Sequence, residues 1–278
     1  MRMGVTGLNA KATLGSAATV RLATLAEEMG YASWWAGEHV VVPSPRTPET
    51  PMDPTDPVLD PLVHLAYVAA VTTRIALGTG IVILPQRNPL VLAKQVASLD
   101  VLTGGRFRLG IGAGYLEPEL AALGVPMAER GSRTDEYLDA MNTLWTADRP
   151  AFDGRHVTFA GIDAHPRPSG VRIVVGGHSQ GALRRAVSRG HAWLGVGDTP
   201  EDLTGHLARL ARVAGEVDRP VHLGRLEIYF QSMRPVSAGD ARRYADLGVD
   251  ELIVYPLPLD DAGEVERFLT EHRTVGGH

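Results

Sequence analysis

The 278-residue chain contains no cysteine. That excludes disulfide frameworks, thiol nucleophiles and every cysteine-ligated zinc or iron–sulfur centre. Lysine is nearly as scarce: Lys11 and Lys94 are the two present. Neither falls on an expected strand, so an aldolase or isomerase barrel has no strand-end amine for covalent catalysis. Long apolar runs are missing too. Residues 63–71 form one of the longest, too short and interrupted to span a bilayer, and residues 1–20 hold no apolar secretory core. Twenty-seven basic side chains face 32 acidic ones, for a formal charge of −5, with no basic block to act as a nucleic-acid footprint. The ten histidines include no His-x-His, His-x₃-His or His-Glu-x-x-His spacing, so no metal centre is expected. Ser98 and Ser179 lack a nucleophile elbow. Glu38 and Glu117 are candidate catalytic carboxylates, but nothing flanks them as a glycosidase pair would require. The expectation is a soluble cytoplasmic protein acting on a small molecule, without nucleic-acid or membrane partners.

What is present is alternation. Short β-branched or apolar runs ending in glycine alternate with amphipathic helical segments. Strands are expected at 3–7, 33–37, 74–80, 106–111, 172–175, 192–196, 222–230 and 251–255. Helices are expected at 17–29, 61–72, 89–101, 133–145, 180–189, 200–214, 238–247 and 261–273. Eight strands, each followed by a helix, is the count of a (β/α)₈ TIM barrel, with an open doubly wound sheet as the competitor. No repeat or low-complexity linker divides residues 1–278, so a single domain is expected. Two segments break the rhythm. Residues 41–61 carry seven of the 19 prolines, which cannot sit inside a helix or strand. They form an extended loop after strand two, either a wall of the site or a plain surface insertion. Residues 147–170 form an insertion before strand five, with a small hairpin around 157–159.

Barrel chemistry gathers where strands end. Those exits here are Gly7-Leu8-Asn9, Glu38-His39, Thr79-Gly80-Ile81, the run from Gly110 through Gly112 and Gly114 to Tyr115, Gly176-Gly177-His178-Ser179, and Gly195-Val196-Gly197. So many exit glycines suit a flat ligand pressed against main chain, although glycine also simply ends strands. Gly176 and Gly177 precede a helix start whose free amides can hold an anion; the plain alternative is a Ser179 N-cap. The G-x-G-x-G spacing at 110–114 does not match the dinucleotide fingerprint. His39 is the sharpest single residue. At a strand exit it can donate a hydrogen bond to a bound ring or move protons near neutral pH.

The pair LPQRNP (84–89) and GGRFRLGIGAG (104–114), with WWAGEH (34–39), LGVPMAERGSRTDEYL (123–138), RIVVGGHS (172–179) and GHAWLGVG (190–197), resembles the luciferase-like flavin monooxygenase superfamily. More narrowly, it is similar to the group that uses the deazaflavin coenzyme F420. The resemblance implies a TIM barrel that binds a flavin-type ring at the strand C-termini, and a homodimer. It implies a non-prolyl cis peptide at Gly80–Ile81, forming a bulge against the ring. His39 would lie at the reactive edge, Gly112 and Gly114 would line the ring, and Gly176 and Gly177 would hold the cofactor phosphate. The implied activity is hydride transfer between F420 and a small organic substrate. The alternatives are an FMN-dependent monooxygenase or a non-catalytic flavin-binding barrel. This chain departs from some members at Tyr115, where they carry an acidic general acid, and at Asp198, where a basic phosphate partner would suit better.

Overall fold

The computed structural model describes residues 1–257 and 259–272; Arg273, the last position of the final expected helix, lies outside them. In chain order the elements are β1 (Arg2–Thr6), α1 (Ser16–Glu28), β2 (Ser33–Ala36), α2 (Pro61–Ala69), β3 (Ala76–Thr79), β4 (Val82–Ile83) and α3 (Pro89–Thr103). Next come β5 (Phe107–Gly112), α4 (Glu117–Ala122), α5 (Arg130–Thr146), β6 (Phe152–Asp153), β7 (Thr158–Phe159), β8 (Arg172–Gly176) and α6 (Gln180–Arg189). The chain continues through β9 (Ala192–Gly197), α7 (Pro200–Ala214), β10 (Glu227–Ser232), α8 (Ala238–Asp246), β11 (Glu251–Val254) and α9 (Ala262–His272).

The parallel strands run β3-β2-β1-β11-β10-β9-β8-β5, and pairing of Leu77 with Phe107 and Gly78 with Arg108 closes the ring. The result is the expected eight-stranded TIM barrel. Strands β1, β2, β3 and β11 are almost wholly buried, as parallel strands covered on both faces must be. One apolar layer lies between strands and helices. A second fills the barrel around Trp35, Val174, Leu194, Tyr229 and Ile253.

The hairpin inserted before β8 is present as β6 paired antiparallel with β7. Several elements differ from the sequence expectation, among them two segments expected as strand and the short elements β4 and α4, which were not expected. Residues 74–75 are not strand, because the Glu27 carboxylate accepts the N–H groups of Thr73, Arg74 and Ile75, taking donors a ladder would use. Residues 222–226 are not strand either. Val221–Leu223 is a 3₁₀ turn, followed by Gly224 at φ 61°. The Arg219 guanidinium holds that turn by donating to the carbonyls of Leu223 and Gly224. Helix α4 was not anticipated, because Pro118 reads as a breaker; it occupies the first turn, where no intrahelical N–H is needed.

The proline-rich segment folds back over the exit of β1. Ala10 bridges Val58, Leu59 N–H donates to Asn9 O at 2.9 Å, and Asn9 Nδ2 donates to the carbonyls of Gly37 and Leu59, each at 2.9 Å. It therefore forms part of the barrel's rim.

Candidate active site

A cavity of about 870 Å³ opens at the strand C-termini. Its floor is set by the break between β3 and β4, where the Gly80–Ile81 peptide is cis, as the family resemblance implies. Thr79 Oγ1 bridges the gap this leaves in the ladder, donating to Gly110 O at 2.7 Å and accepting from Gly110 N at 2.8 Å. Ile81 then projects into the barrel. A Cβ on Gly112 would lie 2.7 Å from Ile81 Cδ1, and one on Gly176 would lie 2.9 Å from Ile81 Cγ2. The Ile81 side chain therefore packs directly against Gly112 and Gly176, and a larger residue at either position would have to displace it. Gly114, at φ 79°, is similarly constrained by Ile83 and Leu120. The sequence reading attributed these glycines to a flat ligand; the closer contact is the Ile81 side chain. All of Gly80, Ile81, Gly112, Gly114, Gly176 and Gly177 nonetheless line the cavity.

The bulge is tied down by the LPQRNP element. Buried Glu38 accepts Ile83 N–H at 2.6 Å and Arg87 Nε at 2.7 Å, and also contacts Arg87 Nη2. Arg87 reaches on to Asp60 at 2.6 Å, whose other oxygen caps α2. Glu38 is therefore a structural carboxylate rather than a catalytic one. Burial pushes its carboxyl up and Arg87 opposes that. Glu117 is exposed on α4.

His39 lines the cavity, and its Nδ1 lies 2.8 Å from Glu119 Oε2. Glu119 is only 1% exposed. Its second oxygen accepts Val40 N–H at 2.7 Å, so the carboxylate is fixed from two sides. A carboxylate facing Nδ1 requires the proton there, leaving Nε2 as the acceptor of the neutral ring. Tyr115 stands edge-on to the imidazole, with centroids 6.2 Å apart. Glu119 lies four residues after Tyr115, in the first turn of α4. Sequence reasoning missed Glu119 because Leu116-Glu117-Pro118-Glu119 reads as a solvated loop. The available signal was Glu119 next to Leu120 at the start of an apolar face.

At the opposite rim Ser179 caps α6, accepting Ala182 N–H at 3.2 Å. Gly177 N–H donates to Leu194 O at 3.4 Å. His178 Nε2 accepts Val196 N–H at 3.0 Å and its ring stacks on His206 at 3.9 Å. Burial, helped by His206 and Arg209, lowers its pKa to about 4 and keeps it neutral. Arg130 and Gly131 of α5 and Arg185 of α6 also line this part of the cavity. Arg185 donates to Asp135 at 2.7 Å and to Gly131 O at 3.1 Å. A Cβ on Gly131 or on Gly181 would meet nothing within 4 Å. Both glycines line the cavity and leave open space beside the first turns of α5 and α6. Among the described residues no group of three or more His, Asp or Glu is placed to hold a metal, and no helix is long and apolar enough to cross a membrane.

The geometry agrees with comparison to known proteins. An uncharacterized protein of Mycobacterium tuberculosis (strain H37Rv) is 32% identical over 271 residues, covering 88% of this chain and 90% of its own. The F420-dependent glucose-6-phosphate dehydrogenase of Kineococcus radiotolerans is 30% identical over 215 residues, covering 72% of this chain and 61% of that protein. Among solved structures, an F420-dependent secondary alcohol dehydrogenase superposes with a TM-score of 0.79 at 15% identity, over 99% of this chain and 97% of that one; this shows a shared fold. The luciferase-like monooxygenase model matches residues 2–273, and the chain belongs to that family.

Proposed function

We propose that the protein is an F420-dependent oxidoreductase that moves a hydride between the deazaflavin and a small organic substrate. The observation that carries this is the His39–Glu119 pair on the rim of a cavity whose floor is the Ile81 bulge and whose far wall is the start of α6. The site fits a phosphate-tailed tricyclic ring. Main chain at Gly80, Ile81, Gly112, Gly114, Gly176 and Gly177 would face the ring. The first turn of α6, with the space at Gly131 and Gly181 and the nearby cations of Arg130 and Arg185, would take the phosphate. F420, when bound, supplies a two-electron hydride acceptor or donor, whereas FMN would also admit oxygen chemistry. The names of the 30%-identical relative and of the superposed dehydrogenase favour F420.

The chain's own part is to position, exclude water and manage a proton. With Nδ1–H given to Glu119, His39 Nε2 can accept the hydroxyl proton of a substrate as its carbon loses hydride and the C=O bond forms. In the reverse direction the imidazolium, held by Glu119, returns that proton to the oxygen. Glu119 is a positioning residue here: it fixes which nitrogen faces the cavity. The test is fluorescence titration of the purified protein with F420 and with FMN. Saturable F420 binding with FMN at least about tenfold weaker is expected. Tight FMN binding without F420 binding would instead point to monooxygenase chemistry.

A further inference from the structure

The charged groups around the cavity are unevenly placed. In the ring of eight strands β1 and β11 stand opposite β8 and β5, and β10 stands opposite β3. The arginines lining the cavity, Arg130 and Arg185, lie on the β5/β8 side with the start of α6, where Arg185 is paired with Asp135 and Arg130 bonds the Met127 carbonyl. On the other side the wall is built by Met52 and Val58 of the proline-rich loop, Gln231 and Met233 at the end of β10, and Tyr255 after β11. None of these is charged. Gln231 Nε2 is turned to Met233 Sδ at 3.2 Å, and Asn9 spends its amide on Gly37 and Leu59.

Behind this wall lies a second cavity of about 380 Å³ that shares Ala10, Met52, Val58 and Tyr255 with the first. It holds the nearest cations, Lys11 and Arg46, but also Asp53 and Asp56. Lys11 is already engaged by Asp56 at 3.5 Å and Asp260 at 3.3 Å, and Arg46 donates to Thr50 O at 3.4 Å. An anionic substrate on this side would be stripped of water without a cation to meet it, which costs several kcal/mol. A cation fares no better: Glu38 is committed to Arg87 and Glu119 to His39. The 870 Å³ volume lies near the top of the roughly 300–1,000 Å³ range of single-ligand pockets.

We infer that the substrate is an uncharged molecule with a sizeable apolar body and one hydroxyl or carbonyl oxygen, seated between the proline-rich loop and the ends of β10 and β11. This rests on the reading that the β5/β8 side holds the cofactor phosphate. It separates this chain from any relative acting on a sugar phosphate, because the wall formed by Met52, Val58, Gln231, Met233 and Tyr255 carries no permanent countercharge.

The test is equilibrium binding by calorimetry to protein already saturated with F420, with cofactor affinity recorded first on the same sample. The probes are a series of cycloalkanones and 2-alkanones of rising size, cyclohexanecarboxylate and glucose 6-phosphate. Ketone binding should be saturable and tighten with apolar area. Cyclohexanecarboxylate should bind at least about tenfold more weakly than cyclohexanone, and glucose 6-phosphate should not compete. Met233→Arg, which places a cation in the wall, should reverse the order and favour cyclohexanecarboxylate. Either anion binding as tightly as the ketones, or no ketone in the series saturating, overturns the inference. Failure of F420 to bind in the first step would instead strike the cofactor reading.

Discussion

Two buried carboxylates, Glu251 at the strand N-termini and Glu119 at the strand C-termini, are matched in opposite ways. At the strand N-termini, Glu251 is fully buried and saturated. It accepts from Ser33 Oγ at 2.5 Å, Trp35 Nε1 at 3.2 Å, Arg2 Nε at 3.1 Å and Arg108 Nη1 at 2.8 Å. Glu227 beside it takes Arg2, Arg172 and the Tyr229 hydroxyl. Every acceptor is met by a cation or a fixed donor, and the barrel is plugged. At the strand C-termini Glu119 is just as buried, yet among the described residues no Arg or Lys bonds to it. Its side-chain partner at 2.8 Å is the imidazole of His39, which lines a cavity. The contrast teaches where a carboxylate stabilises and where it directs: matched against guanidinium it locks the fold, and matched against histidine it sets a proton's location.

The largest effect expected from this contrast comes at the plugged end. Glu251→Gln leaves Arg108 and part of Arg2 without their anion, and should cost on the order of 3 kcal/mol, read by urea unfolding. A loss below about 1 kcal/mol would mean the plug is ornamental. At the open end the order of damage should invert. Glu119→Gln keeps an acceptor for Val40 N–H, so stability should fall by about 1 kcal/mol or less, while turnover should fall roughly 10²-fold with cofactor affinity little changed. ¹⁵N NMR of His39 should show Nδ1–H in the parent and a mixture of tautomers in Glu119→Gln, with Glu119→Asp restoring part of both. Equal loss of stability and turnover would reduce Glu119 to a structural role.

The smallest effect is a baseline away from both ends. His64 of α2 accepts Trp34 Nε1–H at 3.1 Å, and burial lowers its pKa to about 4 from the ordinary 6.5. The native ring stays neutral where the unfolded chain takes a proton. Stability should therefore be flat above pH 6.5 and decline as pH falls toward 4, by on the order of 1–3 kcal/mol. His64→Gln, which keeps an acceptor for Trp34, should reduce that slope and leave the share that His178 contributes by the same cause. An unchanged slope would assign acid sensitivity to other groups.

Much of this was legible in the sequence, for reasons particular residues make plain. Barrel strands are buried on both faces, so their apolar runs stand out, and the Gly80–Ile81 bulge lay inside a specific motif. Gly112 and Gly176 were visible as strand-exit glycines, but what packs on them was not: it is Ile81, some thirty and ninety-five residues away in sequence, pressing on them in space. Glu119 was invisible because its meaning depends on His39, eighty positions earlier, meeting it across the β2 exit. The 222–226 segment misread as strand because Arg219, gathering carbonyls around a 3₁₀ turn, overrides local β-propensity.

The central claim is that a flavin-type ring lies over the Ile81 bulge with its phosphate at the start of α6 and the His39 Nε2 side open to substrate. A crystal structure of the protein grown with F420 tests it most directly. The account predicts deazaflavin density against residues 80–81, with the phosphate between Gly131 and Gly181. Density for the deazaflavin elsewhere on the molecule, with that space filled by protein atoms, would contradict it.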